Sequence, residues 1–210
     1  MAIANNKIKI LTWNAHGISN KIIELYDYMT NQNIQVACIN ETFLKSHINL
    51  HCHPNYQCHR FDRTDRLKGG VAILVDRNII HTLLPALNTQ LLETIGIEIT
   101  SVKNTKIRII AAYLPGGSSN TLINQHLIND IRLLMQCQVS YFIVGDLNTK
   151  HRFWNCARAN RAGTLLYNEF CLKNFLILFP ATPTHIPNCH QQTAFGSNFY
   201  DLNVSSTSQE

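Results

Sequence analysis

Apolar and polar positions along this chain fall into short runs that predict more strands than helices. Lys7-Ile8-Lys9-Ile10-Leu11-Thr12-Trp13-Asn14 alternates at its start and reads as a strand ending in Asn14-Ala15-His16-Gly17. Lys21 to Met29 sets Ile22, Leu25, Tyr26 and Met29 at helical spacing. Ile34 to Asn40 is a buried-type strand that terminates in Glu41-Thr42, and Val71 to Val75 is another. Ile95 to Ile99 alternates cleanly, as a half-exposed strand does. Ile107 to Leu114 follows as a buried strand and runs into Pro115-Gly116-Gly117. Thr121 to Met135 carries Leu127, Ile131 and Leu134 on one helical face. Tyr141 to Val144 is a strand, Gly163 to Lys173 a helix and Leu176 to Phe179 a short strand. Several strands follow one another without a helix between them, which predicts a mixed sheet within an α/β (α+β) chain.

Polar groups recur where these strands stop. Asn14, Glu41, Tyr113, Asp146 and Asn148 all stand at strand ends, the way α/β scaffolds assemble active sites. The stretch Gly145-Asp146-Leu147-Asn148 is the most pointed case. Residues two apart on extended chain face the same way, so Asp146 and Asn148 can address one small target. A carboxylate beside a carboxamide suits a phosphoester, one group handling water and the other a phosphate oxygen. The same residue types also serve plain strand-to-loop turns.

Lys45 to His59 reads as an irregular stretch rich in His and Cys, with His47, His51, Cys52, His53, Cys58 and His59. These are zinc-ligand types, but their spacing lacks the paired arrangement of a zinc module, and a polar surface loop is the expectation. Arg60 to Gly70 places Arg60, Arg63, Arg66 and Lys68 around Phe61 and ends in a flexible glycine pair. That composition fits a loop gripping nucleic-acid phosphates, or a solvated hairpin.

Composition adds bounds. The 210 residues are 45% hydrophobic and 15% charged, enough for one sizeable core, and the net charge of +5 suits a polyanionic partner. Seven cysteines form no regular framework. Without a signal-peptide pattern at Met1 to Lys7, reduced thiols in an intracellular compartment are expected. The apolar runs are too short to span a bilayer, so no membrane partner is expected. The chain divides into one domain over 1–190 and a polar stretch over 191–210, in which only Phe199-Tyr200-Asp201-Leu202 looks structured.

Five pieces in this order resemble the endonuclease/exonuclease/phosphatase superfamily. They are Leu11-Thr12-Trp13-Asn14 with Gly17, Ile39-Asn40-Glu41-Thr42, Asp65-Arg66 before Gly69-Gly70-Val71-Ala72-Ile73, Ala112-Tyr113, and Gly145-Asp146-Leu147-Asn148. Lys150-His151-Arg152-Phe153-Trp154 and Pro183-Thr184-His185 are similar to segments of jockey-like non-LTR retrotransposon endonuclease domains. The resemblance implies a four-layered α/β/β/α sandwich with two mixed sheets, which nicks one strand of DNA using Mg²⁺ or Mn²⁺. It implies Glu41 as the metal-binding carboxylate and Asn14 as its hydrogen-bonding neighbour. Tyr113 resembles a phosphate-contacting phenol, Asp146 the group that orients or deprotonates water, and Asn148 the amide that steadies the phosphate. Arg63, Arg66, Lys68 and Thr184 are the expected DNA contacts. His151 and Trp154 are expected to pack their loop, and His16 to be a surface or locally bonded histidine. A reverse transcriptase in an intact parent element and a nuclear location follow from the same resemblance.

The pattern departs at the end of the chain. Asp201 resembles an orienting carboxylate, but no Ser-Asp-His turn follows it, and the last core strand is expected to be missing as well. Loss of that histidine implies an impaired nuclease. The alternatives are a non-catalytic nucleic-acid-binding remnant, or another phosphodiesterase or phosphatase of the same fold.

Overall fold

The alternation of side chains along a strand sorts the core into layers. In β1 (Lys7–Asn14), Ile8 and Ile10 point one way, while Leu11 and Trp13 point the other. The computed structural model describes residues 7–65, 67–100, 105–173, 176, 178 and 198–203, with residue 7 and residues 198–203 described by backbone alone. Among them run α1 (Ile22–Asn31), β2 (Val36–Asn40), β3 (Tyr56–Phe61), β4 (Val71–Asp76), β5 (His81–Leu83), β6 (Glu93–Thr100) and β7 (Lys106–Tyr113). A helix in three stretches follows: α2 (Asn120–Leu122), a π turn (Ile123–Leu127) and α3 (Ile128–Leu134). Then come β8 (Ser140–Asp146), a 3₁₀ turn (Arg152–Trp154), α4 (Arg161–Lys173) and β9 (Asn198–Asn203).

The strands form two mixed sheets, ordered β3-β4-β2-β1-β9 and β5-β6-β7-β8. Within the first, β1 and β2 are parallel with Asn14 opposite Asn40; within the second, β7 and β8 are parallel with Tyr113 opposite Asp146. Ile8, Ile10, Val36, Cys38, Ile73 and Val75 of the first sheet pack on Ile97, Ile99, Ile109, Ala111 and Val144 of the second. The outer face of the first sheet, with Leu11, Trp13, Ala37 and Ile39, covers Leu25, Tyr26 and Met29 of α1. The outer face of the second, with Ile110 and Ala112, is covered by Leu127, Ile131, Ala162 and Leu166. This is the four-layered α/β/β/α sandwich that the sequence resemblance implies. Each fully buried Ile or Leu contributes about 1.5–3 kcal/mol.

Parity then delivers the polar groups. Asn14 shares the inner face with Ile8 and Ile10, Asn40 with Val36 and Cys38, Tyr113 with Ile109 and Ala111, and Asp146 with Val144. All four stand at the same edge of the seam between the sheets.

Three local expectations change. Tyr56 to Phe61, read as the end of an irregular loop and the start of a basic one, is edge strand β3 paired to β4. Its Gln57, His59 and Arg60 mask a strand that needs only Tyr56 and Cys58 to pack inward. The Gly69-Gly70 pair, expected to be flexible, is clamped: Phe43 and Thr42 donate backbone bonds to the Gly69 and Gly70 carbonyls, at 2.9 and 3.2 Å. Leu176 and Leu178 carry no strand, and residues 177 and 179 of that expected element lie outside the described residues. Asn198–Asn203 contains Phe199 to Leu202, the part of the polar stretch that reads as structured, and pairs antiparallel with β1. No helix among the described residues is long and apolar enough to cross a membrane.

Candidate active site

Glu41 follows β2 in the left-handed region, φ +53°, a conformation that costs a non-glycine residue on the order of 1 kcal/mol. Its neighbours hold it there. Gly17 N–H donates to the Glu41 carbonyl at 2.8 Å, and Thr42 N–H donates to Gly70 at 3.2 Å. His16, Phe43 and Asn148 share this rare conformation at φ 44°, 55° and 46°, so backbone strain gathers around one site.

The Asn14 carboxamide spends both hydrogens on carboxylates, 2.9 Å to Glu41 Oε1 and 2.9 Å to Asp146 Oδ2. One nitrogen thus joins acids from the two sheets. The Tyr113 hydroxyl donates to Glu41 Oε1 at 2.9 Å, and His16 Nδ1 lies 3.2 Å from Glu41 Oε2. Burial raises the Glu41 carboxyl pKa, but bonds from Asn14, Tyr113 and His16 outweigh it and hold the group below the usual carboxylate range. The Tyr113 hydroxyl is pushed up by burial and by its bond to Glu41, so it stays a donor.

Asp146 and Asn148 are joined through the Asn148 backbone and not as neighbours on extended chain. Asn148 N–H donates to Asp146 Oδ1 at 2.9 Å, closing an Asx turn at a left-handed residue. Asn148 Nδ2 donates to the Leu114 carbonyl at 2.8 Å, which leaves it a second hydrogen. A cleft of about 430 Å³ opens alongside, lined by Glu41, Tyr113, Arg63, Lys68 and Pro115 among others.

The expected DNA contacts are unevenly placed. Lys68 is exposed, with its ammonium 5.9 Å from the Phe43 ring centre. Arg63 turns inward: its Nε lies 3.0 Å from both Asp65 and Glu93, and its side chain is 16% exposed. Arg66, Thr184 and the Asp201 side chain lie outside what the structure describes, while the Asp201 backbone pairs with Lys9. His151 stacks on Tyr167 at 4.1 Å and accepts from Phe153 N–H, so it packs its turn. In the His/Cys stretch, His53 packs against Tyr26 and Tyr56, at 4.9 and 5.3 Å.

Three residues escaped sequence reasoning. Asn40 is fully buried, and its inner-face position beside Val36 and Cys38 was the available signal. Glu93, 6% exposed, accepts from Gly70 N–H and so fastens the glycine pair; burial raises its pKa. Asn160 binds the Asn148 carbonyl and precedes α4. His16 was expected at the surface or bonded locally; its side chain is 71% exposed and bonded to Glu41.

A family model described as the endonuclease/exonuclease/phosphatase family matches residues 11–204. The chain belongs to that family. It is 26% identical over 197 residues to a probable RNA-directed DNA polymerase from transposon BS of Drosophila melanogaster, covering 88% of this chain and 21% of that protein. It is 22% identical over 178 residues to the RNA-directed DNA polymerase from mobile element jockey of the same fly, covering 84% and 19%. The chain thus spans about a fifth of the length of these curated relatives. In fold it is similar to the endonuclease domain of TRAS1, a telomere-specific non-LTR retrotransposon. The TM-score is 0.64 and the identity 17%, over 84% of this chain and 76% of that one. The Xenopus laevis APE2 catalytic domain is also similar, with TM-score 0.59, identity 16%, and coverage of 78% and 67%. The seam-edge cluster therefore sits in an endonuclease/exonuclease/phosphatase fold.

Proposed function

We propose that this chain is the endonuclease domain of a non-LTR retrotransposon, nicking one strand of DNA with the aid of Mg²⁺ or Mn²⁺. The observation that carries this reading is the Asn14 carboxamide bridging Glu41 and Asp146 across the seam. The donor set fits such an ion. It offers carboxylate and amide oxygens, the hard ligands Mg²⁺ prefers. Among the described residues no group of three or more His, Cys, Asp and Glu could hold a metal. Mg²⁺ is commonly held by one or two carboxylates, with water and substrate phosphate completing its shell. Glu41 would be its main ligand, with Asp146 beside it. When bound, the ion supplies a Lewis acid that neutralises charge on the phosphate and the leaving oxygen.

The protein groups do the rest. Asp146 orients the attacking water and takes its proton as the new oxygen–phosphorus bond forms and the bond to the leaving oxygen breaks. Asn148 turns its second amide hydrogen to a phosphate oxygen, and Tyr113, whose hydroxyl also aims Glu41, contacts the phosphate. Lys68, with Arg66 and Thr184, contacts the DNA backbone, and Arg63 shapes the loop that presents Lys68. The partner beyond DNA is a reverse transcriptase domain of the parent element, and with chromosomal DNA as its target a functional domain would work in the nucleus. No Asp-His pair occurs in these 210 residues, so this polypeptide alone nicks slowly.

The test combines calorimetry with a supercoiled-plasmid assay at high protein concentration. Glu41→Gln should abolish Mn²⁺ binding while His53→Ala leaves it intact, and Asp146→Ala should silence the nicking. Stoichiometric zinc that disappears with His53→Ala, or nicking that survives Asp146→Ala, would overturn the reading.

A further inference from the structure

A fully buried asparagine at a strand end must place both halves of its carboxamide, since an unpaired buried polar group is costly. Asn40 does so across the seam. Its backbone belongs to the first sheet, opposite Asn14 and Val71. Its Nδ2 donates to the Ala112 carbonyl of β7 at 3.2 Å, and its Oδ1 accepts from Asp146 N–H of β8 at 3.1 Å. With Ala112 opposite Gly145, a regular parallel ladder would set the Ala112 carbonyl against Asp146 N–H. One carboxamide, the side-chain equivalent of a peptide unit, therefore serves both of those ladder groups from the opposite sheet.

Gly145 makes room for it. A Cβ there would lie 2.0 Å from the Ala112 oxygen and 3.0 Å from Asn40 Oδ1, at φ +149°. Asn40 is also covalently next to Glu41, so one residue ties the metal-side acid to the backbone of the water-side acid.

We propose that Asn40 is a positioning residue, its carboxamide setting the separation and aim of Glu41 and Asp146. This rests on the reading of those two acids as the metal and water groups. A carboxamide is required because one edge must donate and the other accept. Asn40→Asp would turn an oxygen toward the Ala112 carbonyl and bury a charge beside two acids. Asn40→Ala would remove the cross-sheet bond from each of these two backbone groups, leaving them only one another across the β7–β8 ladder.

The test uses the whole 210-residue chain, with circular dichroism to establish folding. Amide exchange at Asp146 reads the contact directly and does not depend on activity. Mn²⁺ calorimetry and the metal concentration for half-maximal nicking read the consequence. In Asn40→Ala, Asp146 N–H should exchange at least tenfold faster, Mn²⁺ should bind five- to twentyfold more weakly, and the metal midpoint should rise in step. Leu74→Ala, a buried core change remote from the seam edge, should lower the melting temperature yet leave all three readouts at parent values. If Asn40→Ala does not fold, Asn40→Ser, which keeps a hydroxyl acceptor, takes its place with smaller shifts of the same sign. Parent-like Asp146 exchange in the folded variant would overturn the proposal, as would metal binding weakened equally by Leu74→Ala. A parent chain that neither binds metal nor nicks would instead defeat the functional reading, while the exchange result still judges the contact.

Discussion

Replacing Asn160 separates two jobs that one side chain performs. Its Oδ1 accepts from Gly163 N–H at 2.8 Å, the N-cap bond of α4, and from Lys150 N–H at 3.0 Å. Its Nδ2 donates to the Asn148 carbonyl at 2.8 Å. The helix also sits hard on the turn, for a Cβ at Gly163 would lie 2.0 Å from the Lys150 oxygen. Losing an N-cap costs about 1 kcal/mol. Two further half-exposed bonds add about 0.5 kcal/mol each, the low end of the usual range. Asn160→Ala should therefore lose about 2 kcal/mol. For a chain of this size that is roughly 4–8 °C in melting temperature. Asn160→Asp keeps the acceptor and gains from a negative charge at a helix N-terminus, about 0.3–1 kcal/mol, while losing only the bond to Asn148. It should melt within about 3 °C of the parent. Thermal melts followed by circular dichroism decide the matter. Asn160→Ala melting within a degree of the parent, or Asn160→Asp falling as far as Asn160→Ala, would refute the reasoning.

Two further outcomes are open to simple measurement. Lys68→Gln should lower the salt slope of duplex-DNA binding by about one unit, as the loss of one phosphate contact does. Arg63→Gln should leave that slope nearly unchanged and instead cost about 1–3 kcal/mol of stability by leaving Glu93 without its charged partner; equal slope changes in both would contradict the inward placement of Arg63. His59, whose Nε2 lies 2.9 Å from His81 Nε2, is held below its ordinary 6.5 by burial and then by His81. The unfolded chain therefore takes up that proton first, so the contribution is complete above pH 6.5 and is lost as pH falls from there through the folded value. The urea midpoint should drop between pH 7.5 and 5.5, and drop less in His59→Gln. An equal drop in the variant would exclude this histidine.

Elements with their own alternation are legible in the amino-acid sequence, since β1, β2, β7 and β8 each carry an apolar face complete in itself. β3 and β5 are not. β3 is an edge strand with Gln57, His59 and Arg60 in it, and β5 spans three residues whose pairing with β6 no local pattern records. The catalytic candidates are readable because Glu41 and Asp146 end apolar runs abruptly. The supports are hidden because their partners lie far along the chain: Asn40 is 106 residues from Asp146 and Arg63 is committed to Glu93. Extended chain is the wrong basis for pairing Asn148 with Asp146: the φ of 46° at Asn148 makes an Asx turn, and the contact runs from its backbone N–H.

The separation of Asn14 from Asp146, 132 residues, bears on how the molecule comes together and apart. Contacts of such long range form late, because the entropy of closing so large a loop precedes any gain. Bonds confined to the seam edge are then absent from the folding transition state, and weakening them speeds unfolding while refolding keeps its rate. A cation held there is then expected to slow unfolding more than it speeds folding.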